Sequence, residues 1–159
     1  MRDELSGPGV HEWLGVHYKA ILSPADTGGA MSIVDSIGPA GSGPPRHVHE
    51  REDETFVVLT GECEFWLEGR TFTKGAGEAI FIPRGREHTY RVAGSNPSRH
   101  LVILTPGGFE GFFAEMAQGG FRIPDDMEQV GASAARQVLP FGCAPSATTL
   151  RASTGGRRH

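Results

Sequence analysis

Between Trp13 and Leu104 short apolar runs alternate with Gly, Pro and Asp, and this punctuation returns roughly every eight to fifteen residues. The rhythm predicts strands at Val16–Leu22, Met31–Ile37, Arg46–His49, Glu54–Thr60, Glu62–Leu67, Arg70–Lys74, Ala79–Ile82, His88–Val92 and His100–Leu104. Together they read as an all-β sandwich or barrel. Glu68-Gly69, set between Trp66-Leu67 and Arg70-Thr71, predicts a two-residue hairpin. After Pro106-Gly107-Gly108 the period changes. Phe109, Phe112, Phe113 and Met116 recur at i, i+3, i+4 and i+7, the apolar stripe of a helix over Phe109–Gln118 that Gly119-Gly120 stops. A second helix is expected over Asp125–Gln137, opened by Asp125 and Glu128 in capping-box spacing.

The same pattern divides the chain. Residues 1–10, with Gly7-Pro8-Gly9, are expected to form a flexible arm, and residues 11–145 a single domain that ends in the helical segment. Residues 146–159 are mainly Ser, Thr, Gly, Ala and Arg and offer almost nothing to bury, the composition of a disordered tail. Strand faces add detail. Glu54, Phe56 and Val58 share one face of their strand and Val57 and Leu59 the other, so both faces are apolar. A strand with one wet face alternates with polar residues. The outer face is therefore expected to be covered by a second sheet, the helices or another subunit, and a homodimer built on outer faces or the N-terminal arm follows. Trp66 stands among Glu62 and Glu64 on one face; it either anchors an interface or packs under a local loop.

Composition narrows the partners. The 159 residues suit one domain with a core that needs no disulfide or zinc. Twenty-three glycines and 11 prolines disfavour a helical bundle or coiled coil. The net charge is −4, with no basic stripe of the kind a nucleic-acid partner requires. Cys63 and Cys143 are the only cysteines, which makes neither a disulfide framework nor a CxxC pair and fits reduced thiols in a cytoplasm. Met1-Arg2-Asp3-Glu4-Leu5 shows no apolar leader. The longest aliphatic runs, Phe56–Leu59 and Leu101–Leu104, are strand-sized, whereas a spanning helix takes about twenty apolar residues. A soluble protein with no membrane partner is expected.

The chemistry gathers in two places. His47 and His49 are two apart, so on a strand they point the same way. Glu54 follows across the acidic turn Glu50-Arg51-Glu52-Asp53, and His88 comes from a separate hairpin. An isolated HxH near a turn is commonplace on a surface. Three imidazoles and a carboxylate converging inside a barrel instead suit one borderline divalent metal, with two positions of an octahedral ion left open. The stretch from Gly41 to Gly61 resembles the first motif of the cupin superfamily at Gly41, His47, His49, Glu54 and Gly61. The stretch from Gly77 to Val92 resembles the second at Gly77, Pro83, Gly85 and His88, with Val92 where the motif usually ends in asparagine.

This resemblance covers roughly residues 10–145 and is closest to small single-domain cupins of the quercetin-dioxygenase-like group. In that group a Pro-Gly-Gly-Phe-Glu segment, here Pro106–Glu110, leads from the last strand into a helix. The resemblance implies a double-stranded β-helix, or jelly-roll barrel, often dimeric; the change to helical period adds one or two C-terminal helices packed outside. It also implies that His47, His49, Glu54 and His88 hold one divalent transition metal such as iron, manganese, nickel or zinc. It carries activity poorly, because one fold hosts many functions.

Around those four, Phe56 and Val58 share the parity of Glu54, and Tyr90 and Val92 that of His88; Phe81 joins them in one register. They would line an apolar pocket with one phenol, suited to an aromatic or other apolar small molecule, although ordinary core is the simpler role for Phe56 and Val58. Glu54 and Tyr90 are the candidate catalytic residues. Arg84, Arg86 and Arg91 either hold an anion at the mouth or are solvated. His17 and His100 lack motif context and read as structural, His11 and His159 as exposed, and Cys63 as a small buried apolar residue. Three functions stay open: a metal-dependent dioxygenase acting on a small phenolic or enolic compound, with Glu54 taking the hydroxyl proton; a metal-dependent isomerase or lyase, with Tyr90 as acid or base; and a non-enzymatic module that binds a small molecule.

Overall fold

The structure is a computed structural model that describes residues 5–120. In chain order its elements are β1 (Val10–Trp13), β2 (Val16–Leu22), α1 (Pro24–Thr27), β3 (Ser32–Gly38), β4 (His47–Val48), β5 (Asp53–Thr60), β6 (Glu62–Leu67), β7 (Arg70–Gly75), β8 (Ala79–Ile82), β9 (Glu87–Val92), β10 (Ser98–Thr105) and α2 (Gly111–Gly119). The strands form two antiparallel sheets, one ordered β1-β2-β3-β10-β5-β8 and the other β4-β9-β6-β7. This is the expected all-β double-stranded β-helix. Period-two alternation explains its core. Val34, Phe56, Val58, Val102 and Leu104 point inward from the large sheet, and Cys63, Phe65, Tyr90 and Val92 from the small one.

The expected strands recur with ends shifted by a residue or two. The Glu68-Gly69 hairpin is present, with both residues at positive φ and Leu67 paired to Arg70. Two elements escaped the pattern. β1 offers only Val10 and Trp13 as apolar positions in four residues, and its order comes from pairing with β2, Val10 against Lys19 and Trp13 against Val16. α1 is a single turn in which the Asp26 carboxylate accepts from the Ser23 N–H at 2.8 Å. α2 starts at Gly111 rather than Phe109, yet its stripe faces the barrel as expected, with Phe109, Phe112 and Met116 buried. The expected helix over Asp125–Gln137, the tail over 146–159 and Cys143 lie outside the described residues.

Register also corrects one expectation. Thr55 pairs with Phe81, which turns Phe81 to the outer face and sends Ile82 inward opposite Glu54. Phe81 is 57% exposed and Leu59 40%, so Phe81 takes no part in the interior and the described residues leave this outer face only partly covered. Trp66 lies beneath the Arg46 guanidinium, 3.7 Å from its ring centroid, so a cation of the same chain already covers part of it. No helix among the described residues is long and apolar enough to cross a membrane.

Candidate metal centre

Local packing brings His47, His49, Glu54 and His88 together from both sheets. His47 on β4 and His88 on β9 are cross-strand partners. Glu54, the second residue of β5, faces them from the large sheet. His49 lies just beyond β4, where its carbonyl accepts the Gly85 N–H at 2.8 Å and ties it to the turn before β9. β4 has only two residues, so the segment before it does the positioning. Gly41 N–H donates to Val92 O, Val92 N–H donates to Ser42 O, and the Thr89 hydroxyl donates to Pro44 O at 2.6 Å. Gly43 allows this approach, because a Cβ there would lie 1.9 Å from Tyr90 O.

The candidate ligand atoms of the four side chains lie within 4.8 Å of one another. An ion about 2.0–2.2 Å from each donor spans up to about 4.4 Å between opposite donors, so the set fits a metal after closing by a few tenths of an ångström. Two rings are already oriented. Nδ1 of His47 faces Pro45 O at 2.8 Å and Nδ1 of His88 faces Arg86 O at 2.9 Å, which leaves each Nε2 for the centre. His49 turns Nδ1 to Glu52 at 3.8 Å and Nε2 to Glu54 at 3.8 Å. Glu52 is buried, and its Oε2 has no hydrogen-bond partner among the described residues. Sequence reasoning passed over Glu52 as part of an acidic turn; its offset of three from His49 was the available signal.

Electrostatics agree with that arrangement. Burial, then the neighbouring His49 and His88, pull His47 down to about 3. Burial likewise lowers His49, against the pull of Glu54. Burial raises Glu54, but the charge of His49 and the hydrogen bond and charge of His88 outweigh it and hold the carboxyl at about 2. Burial lowers His88, and its 2.7 Å hydrogen bond to Glu54 and that group's charge overcome this, so its net shift is upward. His47 and His49 are thus held as neutral donors and Glu54 as a carboxylate, while Glu54 makes His88 hold a proton more readily than a free imidazole. A divalent cation would replace that proton.

The group opens onto a cavity of about 70 Å³ whose walls include Trp13, Tyr18, Phe56, Tyr90, Phe109 and Phe113. Among the described residues no lysine or arginine lines it. Burial raises both Tyr90 and Tyr18, which share a hydrogen bond, so both phenols stay protonated. Tyr18 went unnoticed in the sequence, although it shares the inward parity of Val16. Val58 and Val92 are fully buried core rather than cavity wall. Arg84 and Arg86 are paired with Asp53 at 2.8 Å and Glu68 at 3.0 Å, and Arg91 is exposed. His17 and His11 are half-buried. His100 is fully buried with Nδ1 3.9 Å from Cys63 Sγ, and its Nε2 has no partner among the described residues, so it is structural but not fully satisfied. Burial raises the Cys63 thiol, as suits an inert core cysteine.

Residues 34–104, which hold all four side chains, match the Cupin_2 family, described as a cupin domain. This stretch is a cupin domain. Among relatives of this cupin, the quercetin 2,3-dioxygenase of Bacillus subtilis is 31% identical over 96 residues, 60% of this chain but 28% of that protein. An Aquifex aeolicus protein is 44% identical over 60 residues, 38% of this chain and 49% of its own. This cupin thus spans half or less of the length of those curated relatives. Among solved structures, the polyketide cyclase RemF of Streptomyces resistomycificus superposes with a TM-score of 0.52 at 27% identity, over 64% of this chain and 70% of that one.

Proposed function

We propose that this cupin is a metal-dependent dioxygenase acting on a small, uncharged phenolic or enolic compound. The observation that carries the reading is three imidazoles and a carboxylate opening directly onto a cavity that, among the described residues, is walled mainly by aromatic side chains. His47, His49, Glu54 and His88 are the ligands of one divalent transition ion, iron, manganese, nickel or zinc. The ion supplies Lewis acidity and, where redox-active, activates oxygen. Glu54 accepts the substrate's hydroxyl proton, since it is ionised and already shares a short hydrogen bond with His88 Nε2. Phe56 and Phe109 exclude water, and the protonated Tyr90 hydroxyl donates to a substrate oxygen. The similarity to quercetin dioxygenase supports this reading.

A second reading is a metal-dependent isomerase or lyase with Tyr90 as general acid, favoured by the protonated phenol in the wall and by the likeness to the cyclase RemF. The deciding measurement is oxygen uptake by iron-, manganese- and nickel-loaded protein with flavonols, catechols and diketones. Uptake supports the dioxygenase. Turnover without oxygen shifts the assignment to the isomerase or lyase, and tight binding without turnover to a small-molecule-binding module. For the whole chain we propose an arm over 1–10, one domain over 11–145, a tail over 146–159, a homodimer and a cytoplasmic location. Limited proteolysis tests the boundaries.

A further inference from the structure

This inference rests on reading the cavity as a substrate site. α2 and the residue before its cap close that cavity with three rings. Phe109 stands edge-on to His49 at 4.5 Å, Phe112 edge-on to Trp13 at 5.5 Å, and Phe113 lies flat on Tyr18 at 4.2 Å with 16° between the planes. About 70 Å³ is left. Pockets for drug-sized ligands are roughly 300 Å³ or more. A compound of two or three rings exceeds this volume while these phenylalanines stay in place, so the proposed substrate class fits the narrow cavity only if something moves.

The backbone shows where movement is easiest. Gly107 is pinned: its N–H donates to Gly29 O at 3.1 Å, and a Cβ there would lie 2.6 Å from the Met31 carbonyl carbon. Gly108, the next residue, has φ +136°, which side-chain-bearing residues rarely adopt. Beyond it come Phe109 and α2, whose rings meet the barrel through aromatic contacts that the ring of a ligand can replace in kind. The flat Tyr18–Phe113 stack defines a slot for a planar ring, and the rings beside it, Trp13, Phe109 and Phe112, carry no charge, which suits a neutral one.

We propose that Tyr18 and Trp13 form the aromatic subsite of the cavity, that Phe113 and Phe112 fill it when no ligand is bound, and that a planar, uncharged ring system displaces them as α2 pivots at Gly108. The ligand's oxygen then faces His47, His49, Glu54 and His88 while its ring takes the place of Phe113 against Tyr18. The phenylalanines are thus competitors of the ligand rather than fixed wall.

The test titrates the nickel(II)-loaded full chain with 3-hydroxyflavone, a planar hydroxyketone, and with acetohydroxamic acid, a metal-binding group without a ring. Phe113→Ala removes the competing ring and is expected to tighten 3-hydroxyflavone by about two- to tenfold, while acetohydroxamic acid is unchanged. Tyr18→Leu is expected to weaken the flavone by a similar factor, and Tyr18→Phe, which keeps the ring and guards against a folding defect, to restore it. Hydrogen exchange of amides 111–119 is expected to speed up with the flavone and not with the hydroxamate. Unchanged or weaker flavone binding by Phe113→Ala, or slower exchange in α2, makes Phe113 a fixed wall and overturns the proposal. If the hydroxamate binds and the flavone binds no variant, the aromatic subsite fails and the metal reading stands. If neither probe binds, the reading of the cavity as a metal-dependent substrate site fails with it.

Discussion

Each imidazole of the proposed metal group turns one nitrogen away from the centre, and what that nitrogen faces differs: hydrogen-bond acceptors for His47 and His88, a carboxylate 3.8 Å away for His49. Backbone carbonyls at Pro45 and Arg86 take His47 and His88, whereas His49 faces only the carboxylate of Glu52. Removing an outer partner of this sort typically costs about 10–100-fold in metal affinity. Glu52→Ala is therefore expected to weaken zinc or nickel binding by that order while the far-ultraviolet circular dichroism stays unchanged; equal affinity in a competitive chelator titration would remove Glu52 from the site. Protonation gives a second prediction. His47 and His49 are pushed down and already neutral near pH 7, whereas His88 is raised by Glu54, so a single proton has to leave when an ion binds. Because His88 holds its proton to higher pH than a free imidazole, affinity is expected to fall as pH decreases, by roughly tenfold per unit once that proton is in place. Calorimetry in buffers of different ionisation enthalpy counts the protons released; a count near three would mean that all three rings start charged.

At the scale of elements, the two-residue β4 keeps its place through the segment before it, which lies flat against β9. Gly43→Ala puts a methyl group into the Tyr90 carbonyl, so the segment has to lift. The expected loss is about 1–3 kcal/mol, the usual range for overpacking a tight contact, with lower metal affinity because His47 moves away from His88. Urea melts and a chelator competition on the same sample check both, and a stable variant with full affinity would show that β9 does not hold the ligand strand. Here the sequence was partly legible. The Gly41–Gly61 motif announced the strand that carries His47, but only the fold showed that Gly43 serves close approach. The stripe Phe109, Phe112, Phe113 and Met116 gave the inward face of α2 because helical period alone sets it. β1 was illegible because two apolar positions in four residues carry no period, and its partner β2 supplies the order.

Across the whole molecule, the outer face of the large sheet is apolar toward its β8 edge and charged toward β2. Register places Phe81, Thr55, Ile103 and Ile33 in one row, and in the next Ala79, Val57 and Leu101 followed by Asp35 and Lys19. Phe81 at the edge is more than half exposed. A homodimer seated on this face would bury it. The protein is expected to show a dimeric mass by light scattering at micromolar concentration, and Phe81→Asp a monomeric one with unchanged metal content. A monomeric wild-type protein removes the dimer.

Sequence alone determined the strand rhythm, the helical stripe after Pro106 and the identities of His47, His49, Glu54 and His88. These follow from local period and from residue types with few alternative uses. Tertiary structure decided which way Phe81 faces, since a one-residue change of register between β5 and β8 reverses every side chain without altering the sequence pattern. It likewise decided that Glu52 turns inward to His49 although its acidic neighbours suggest a solvated turn. Tyr18 meets Tyr90 and Phe113 only because β2, β9 and α2 converge on one cavity, and no spacing along the chain encodes the distance between elements that the two sheets bring together.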